Sequence, residues 1–130
     1  MMPRGTQREH LVRNVPSDVV AGALSRLDYV LEPLSAQDRV ITIGYLRMLL
    51  RIAREPGITV SKLASDLGLF QASASRALLE LGQKSRNQSP SLGLVGSEVD
   101  SLDTRYKHYY LTTKGETLVL TILERMGVKQ

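Results

Sequence analysis

The chain contains no cysteine. That absence removes disulfide frameworks, thiolate zinc sites, cysteine nucleophiles and cysteine redox sensing together, and it is compatible with a reducing compartment. Histidine is nearly as scarce. His10 and His108 stand far apart, with no second histidine or acidic residue at ligand spacing, so no metal site is expected. No apolar run approaches the roughly 20 residues that span a bilayer, and the first residues lack a signal-peptide apolar region. The expectation is a soluble, cytoplasmic protein without a membrane partner. Nucleophile-elbow sequences and glycine-rich phosphate loops are missing too, and paired carboxylates in a cleft cannot be inferred. Neither a catalytic site nor a cofactor is expected, so the chain reads as no enzyme.

What is present fits one domain: 130 residues, 42% of them hydrophobic, suffice to bury a core without metal or disulfide help. Seventeen Lys and Arg against thirteen Asp and Glu give a formal charge of +4 and a pI near 9.6, which admits a polyanionic partner. Many basic proteins never meet a nucleic acid, so local pattern has to decide.

Residues 1–16 are polar, carry Pro3, Gly5 and Pro16, and keep no period, which predicts a flexible N-terminal arm or an extended segment packed on a partner. Ser17 can cap a helix with Val20, Ala23, Leu24, Leu27 and Leu31 on one stripe, closed by Pro33. Ser35, with Asp38 three residues on, is the next cap candidate. The following run from Val40 to Ala53 is apolar on nearly every side and is expected to be deeply buried, with Arg47, Arg51 and Arg54 left for solvent. Glu55-Pro56-Gly57 stops it. Thr59 caps a short helix containing Leu63, Ala64 and Leu67, which Gly68 ends in the left-handed conformation. After the turn Gly68-Leu69-Phe70, a helix from Gln71 to Leu81 turns Ala74, Leu78 and Leu81 inward. Gly82 to Gly93 reads as a loop or irregular excursion. Leu94 to Val99 and Tyr106 to Leu111 then predict a hairpin joined by Asp100–Arg105, with Tyr109 and Tyr110 on opposite faces. Thr112 or Thr113 caps a last helix through Leu118, Ile122, Leu123 and Met126, ended by Gly127.

Helix, tight turn, helix and basic hairpin make an α+β, mainly helical fold: a winged helix-turn-helix with a two-stranded β wing, spanning residues 17–127. This geometry lays a second helix in the DNA major groove and a wing along the neighbouring backbone. Ala72, Ser73 and Ser75 are small enough to let the helix approach closely, while Gln71 and Arg76 are long enough to reach base edges or phosphates. Arg105 and Lys107 place positive charge on the wing, where release of counterions from phosphates gives sequence-independent affinity.

The stretch Asp100-Ser-Leu-Asp103-Thr-Arg105, the strand Tyr-Lys-His-Tyr-Tyr and the following Leu111-Thr112-Thr113-Lys114-Gly115 resemble the wing signature of MarR regulators. Ile58 to Gly68 and Ser73-Ala-Ser-Arg-Ala-Leu78 are similar to that family's helix-turn-helix, so the resemblance covers roughly residues 35 to 120. It implies a homodimeric regulator, a repressor or an activator, on a pseudo-palindromic operator in double-stranded DNA. It also implies that Arg105 reaches a phosphate or the minor groove, with Asp103 and Asp100 bracing its guanidinium. The alternative for the two aspartates is a turn that favours their side chains. MarR relatives are often released by small aromatic ligands, so a small-molecule effector is allowed; no residue here identifies one.

Three positions depart from the family pattern. Phe70, the only phenylalanine, stands where such helices often carry a capping serine, and is expected to pack inward. The chain between Leu81 and Gly93 is longer than usual, and Lys84, Arg86 and Asn87 make it either a second DNA contact or a solvated loop. The last helix ends close to the terminus, so dimerisation would fall to the flanking helices and the arm. Two other functions use the same fold: a winged-helix protein-interaction module, and DNA binding for replication or genome architecture.

Overall fold

The computed structural model describes residues 14–37, 39–83 and 91–130, and the chain falls into two compact units, Met1–Glu32 and Pro33–Gln130. The first helix, α1, spans Ser17–Ser35. Its bonding starts one residue before the expected cap, with the Val20 N–H donating to the Pro16 carbonyl at 3.1 Å. It also runs past Pro33. A proline beyond the first turn of a helix forfeits one backbone hydrogen bond; the Pro33 carbonyl accepts the Gln37 side-chain amide at 3.3 Å. No residue of α1 is buried, so Val19, Leu24, Leu27, Tyr29 and Leu31 stand exposed along it.

Ser35 is the last residue of α1 rather than the cap of the next helix, and Asp38 lies outside the described residues. The cap of α2 (Ile43–Arg54) is Thr42, whose hydroxyl accepts the Tyr45 N–H at 3.0 Å. Burial of α2 is narrower than expected. Met48, Leu49 and Ile52 are sealed, but Val40 and Ile43 are 83% and 79% exposed, because the approach to the helix and its first residue project beyond the core. Arg51 is not left to solvent either. Its guanidinium is 14% exposed and pairs with Glu55 at 2.9 Å and Asp66 at 2.6 Å, while Lys62 reaches the same two carboxylates. This four-residue network ties α2 to α3 (Val60–Leu67). It holds both carboxyls below their ordinary range, Glu55 chiefly through Lys62 and Asp66 chiefly through Arg51.

After α3 come α4 (Gln71–Leu81), β1 (Val95–Val99), β2 (Lys107–Leu111) and α5 (Thr113–Arg125). One core joins them: Ile52 and Ile58, Leu63, Leu78 and Leu81, Leu94 and Val95, Leu118 and Ile122. The strands pair antiparallel from Val95↔Leu111 to Val99↔Lys107. A third segment fastens the hairpin to the corner after α2: Gly57 donates to the Tyr109 carbonyl at 2.8 Å, and Tyr109 donates to the Ile58 carbonyl at 3.0 Å. Tyr109 is half-buried and Tyr110 more open, its ring lying where a Cβ on Gly57 would touch it.

Two local devices set the frame. The Thr112 hydroxyl accepts the Gly115 N–H at 3.1 Å as the cap of α5 and donates to the Gly93 carbonyl at 2.6 Å. Gly115 then presses on the chain before β1 so closely that a Cβ would collide with the Leu94 carbonyl. The excursion after α4 is fastened at its base. Leu92 donates to the Glu80 carbonyl at 2.9 Å, Gly93 to Gly82 at 2.7 Å and Leu94 to Leu81 at 2.8 Å. Leu92 is thereby buried, which a segment without apolar period did not announce.

Candidate nucleic-acid interface

The turn between α3 and α4 is built as its residues dictate. Thr59 caps α3 by accepting the Lys62 N–H at 3.3 Å, and Gly68 takes φ 67°, a left-handed value that a side chain would resist. Leu69 donates back to the Ala64 carbonyl at 2.8 Å, and the chain re-enters a helix at once. Phe70 occupies the cap position of α4 without a side-chain hydrogen bond, and its ring is 84% exposed. The expected inward packing is therefore wrong. The inward positions of α4 begin only at Ala74 and continue at Leu78 and Leu81, leaving the cap position outside the core.

Gln71, Ala72, Ser73, Ser75 and Arg76 are all exposed, as their spacing predicts. Gln71 is engaged at its tip, its amide oxygen accepting the Ser61 hydroxyl at 3.4 Å. A cleft of about 240 Å³ runs between α4 and the hairpin, lined by Ser75, Gln83, Ser97, Lys107 and Tyr109 over Leu78 and Val95. It brings together two of the expected contact residues, Ser75 and Lys107. Ser73, Arg76, Asp103 and Arg105 lie outside its lining.

At the wing tip the two aspartates divide their work. Asp103 grips Arg105 with both oxygens, Nε to Oδ1 at 3.0 Å and Nη2 to Oδ2 at 2.7 Å, and also accepts the Arg105 backbone N–H at 3.1 Å. The guanidinium is 81% exposed and lies 5.8 Å from the Tyr106 ring centroid. An ion pair so open to water adds little stability; its effect is to aim the arginine outward. The Arg105 guanidinium, then its backbone N–H, hold the Asp103 carboxyl below the usual carboxylate range. Asp100 does not brace Arg105. Its Oδ1 accepts the N–H groups of Leu102 at 2.8 Å and Asp103 at 3.1 Å, shaping the turn, and its Oδ2 meets His108 Nε2 at 2.8 Å.

His108 is the residue that sequence order concealed. Its Nδ1 faces the Gly57 carbonyl at 2.8 Å, so the imidazole bridges the wing to the corner after α2. Nearness to Asp100 first, then to the Gly57 carbonyl, raises its pKa. The pairing of Glu98 with His108 brings the ring back beside Asp100, a proximity readable only once the hairpin register is known. Lys84, Arg86, Asn87 and His10 lie outside the described residues. Among the described residues no group of His, Asp and Glu could hold a metal, and no helix is long and apolar enough to cross a membrane.

No protein-family profile matches the chain. The HTH-type transcriptional regulator PetP of Rhodobacter capsulatus is 38% identical over 78 residues, covering 60% of this chain and 42% of PetP. The chain thus spans less than half the length of that curated relative. Among solved structures, MarR superposes with a TM-score of 0.54 at 24% identity, over 85% of this chain and 72% of MarR. A MepR mutant from S. aureus bound to an oligodeoxyribonucleotide gives 0.60 at 24% identity, over the same shares. RV1404 from Mycobacterium tuberculosis gives 0.63 at 19% identity, over 83% and 68%. At such identities the superpositions speak for the fold, and PetP matches it in sequence. In the order of its elements the chain has a winged helix-turn-helix fold, similar to that of MarR and MepR.

Proposed function

We propose that the chain is a sequence-specific, double-stranded-DNA-binding transcription regulator, a repressor acting as a homodimer in the cytoplasm, without catalysis or cofactor. One observation carries this reading: α4 presents small polar residues and Arg76 to solvent straight after a tight turn, flanked by an arginine that an aspartate holds outward on the wing. In this reading Gln71, Ser73, Ser75 and Arg76 enter the major groove, while Arg105 and Lys107 meet phosphates or the minor groove beside them. Residues 17–127 form the working domain, and the bare apolar stripe of α1 supplies part of the dimer contact; the expected arm lies, up to residue 13, outside the described residues. The names of the similar proteins support the same direction, PetP as a transcriptional regulator and the MepR mutant as bound to an oligodeoxyribonucleotide. A small-molecule effector is part of the proposal, favoured by the similar regulator PcaV, solved with its natural ligand.

The deciding experiment is binding of the purified protein to a pool of random duplexes at near-physiological salt, with selection and sequencing. Enrichment of a pseudo-palindrome with half-sites about one helical turn apart is the expected outcome. Salt-sensitive binding without enrichment would instead mean an architectural or replication protein. No binding would leave a protein-interaction module.

A further inference from the structure

We propose that Phe70 reads a thymine C5-methyl group at the edge of the major groove, an inference that rests on the DNA-binding reading and adds a specificity residue to it. Two local rules fail at this one position. A large aromatic side chain gains most of its stabilising effect by leaving water, yet this ring is 84% exposed. A helix cap normally offers an oxygen to the first N–H groups, yet phenylalanine has none, and α4 begins without a side-chain cap. Positions that break local rules without a compensating contact inside the molecule are those where function is expected to set the residue.

The neighbours identify what the ring meets. Gln71 and Ser73 follow it on the exposed start of the helix, and Leu69 before it is 39% exposed, so Phe70 is the aromatic group at this exposed helix start. It can neither donate nor accept a conventional hydrogen bond. Among the features that base pairs display in the major groove, the thymine methyl is the apolar one that such a ring can touch. The ring thereby complements the polar readers Gln71 and Arg76.

The test uses the full chain and the duplex selected above, with each thymine of a half-site replaced singly by deoxyuridine, which lacks only the methyl. One replacement should weaken wild-type binding about fourfold, the value of one buried methyl-sized group. The Phe70→Ala variant should bind the parent and that substituted duplex equally. Phe70→Ser, which restores a capping hydroxyl, should melt higher than wild type and still lose the methyl preference. Indifference of the wild type to every replacement, with specific binding intact, would overturn the proposal and leave the DNA-binding reading standing. Retention of the full methyl preference by Phe70→Ala, or a marked fall in its melting temperature, would overturn it as well. Failure of the wild type to bind any duplex would remove both.

Discussion

Both ring nitrogens of His108 face acceptors, the Gly57 carbonyl and the Asp100 carboxylate. A neutral imidazole can donate from only one nitrogen, so the protonated ring alone satisfies both bonds. Glu98 adds to the negative surroundings. Because the folded-state pKa is raised, the stability from this tie is complete below the unfolded value of about 6.5 and is lost as pH rises through the folded value. Asp100, held below its ordinary range by His108 and by the N–H groups of Leu102 and Asp103, contributes in the opposite sense. Its share is complete above about pH 4 and is lost as pH falls through the lowered folded value. The melting temperature of the wild type should therefore exceed that of His108→Gln by most between about pH 4 and 6.5, with the gap shrinking above it. A gap that widens with pH would assign the bridge to the neutral ring. The two exposed arginines belong to the same scale. Arg76→Ala and Arg105→Ala should each weaken DNA binding at least about tenfold while leaving the melting temperature nearly unchanged, checked by titration and thermal melts. Loss of a phosphate contact lowers the salt slope by about one, whereas loss of a base contact relaxes one position of the operator. That Asp103 would brace Arg105 was implied by the resemblance of the wing. That Asp100 would prefer His108 was not, because the choice depends on strand register.

Elements with a single apolar face were the easiest to read. Ala74, Leu78 and Leu81 recur on one side of α4 and are all buried, so period alone placed them. The second helix is dense with apolar residues on several sides, and periodicity then cannot tell Leu49, which is sealed, from Ile43, which is 79% exposed. The glycine of the Leu-Thr-x-x-Gly stretch was recognisable without its reason, which lies in a crossing with Leu94 distant in sequence. Gly115→Ala should destabilise the fold by about 1–3 kcal/mol or more, since the obstructing atom is backbone and cannot swing aside. Urea unfolding measures this directly. A neutral substitution would mean that α5 slides freely on the segment before β1.

For the whole molecule, the order of helices and hairpin was enough to name the architecture, although only the helix starts at Thr59 and Thr112 carried their caps where predicted. Charge was less informative: a formal +4 becomes meaningful only where α4 and the wing leave arginines outward. The hydrogen bonds closing the base between Gly82 and Leu94 have a consequence for engineering. With both ends pinned, lengthening the chain between them should be cheap, since doubling the length between fixed ends costs only about 0.6 kcal/mol in closure entropy. A short epitope inserted after Arg86 should thus leave the melting temperature almost unchanged and give a ready handle for immobilising the protein. Should the tagged protein melt normally but hold DNA more weakly, the inserted segment would stand on the DNA side of the molecule, and its basic residues would become sites for widening or narrowing an operator footprint by design.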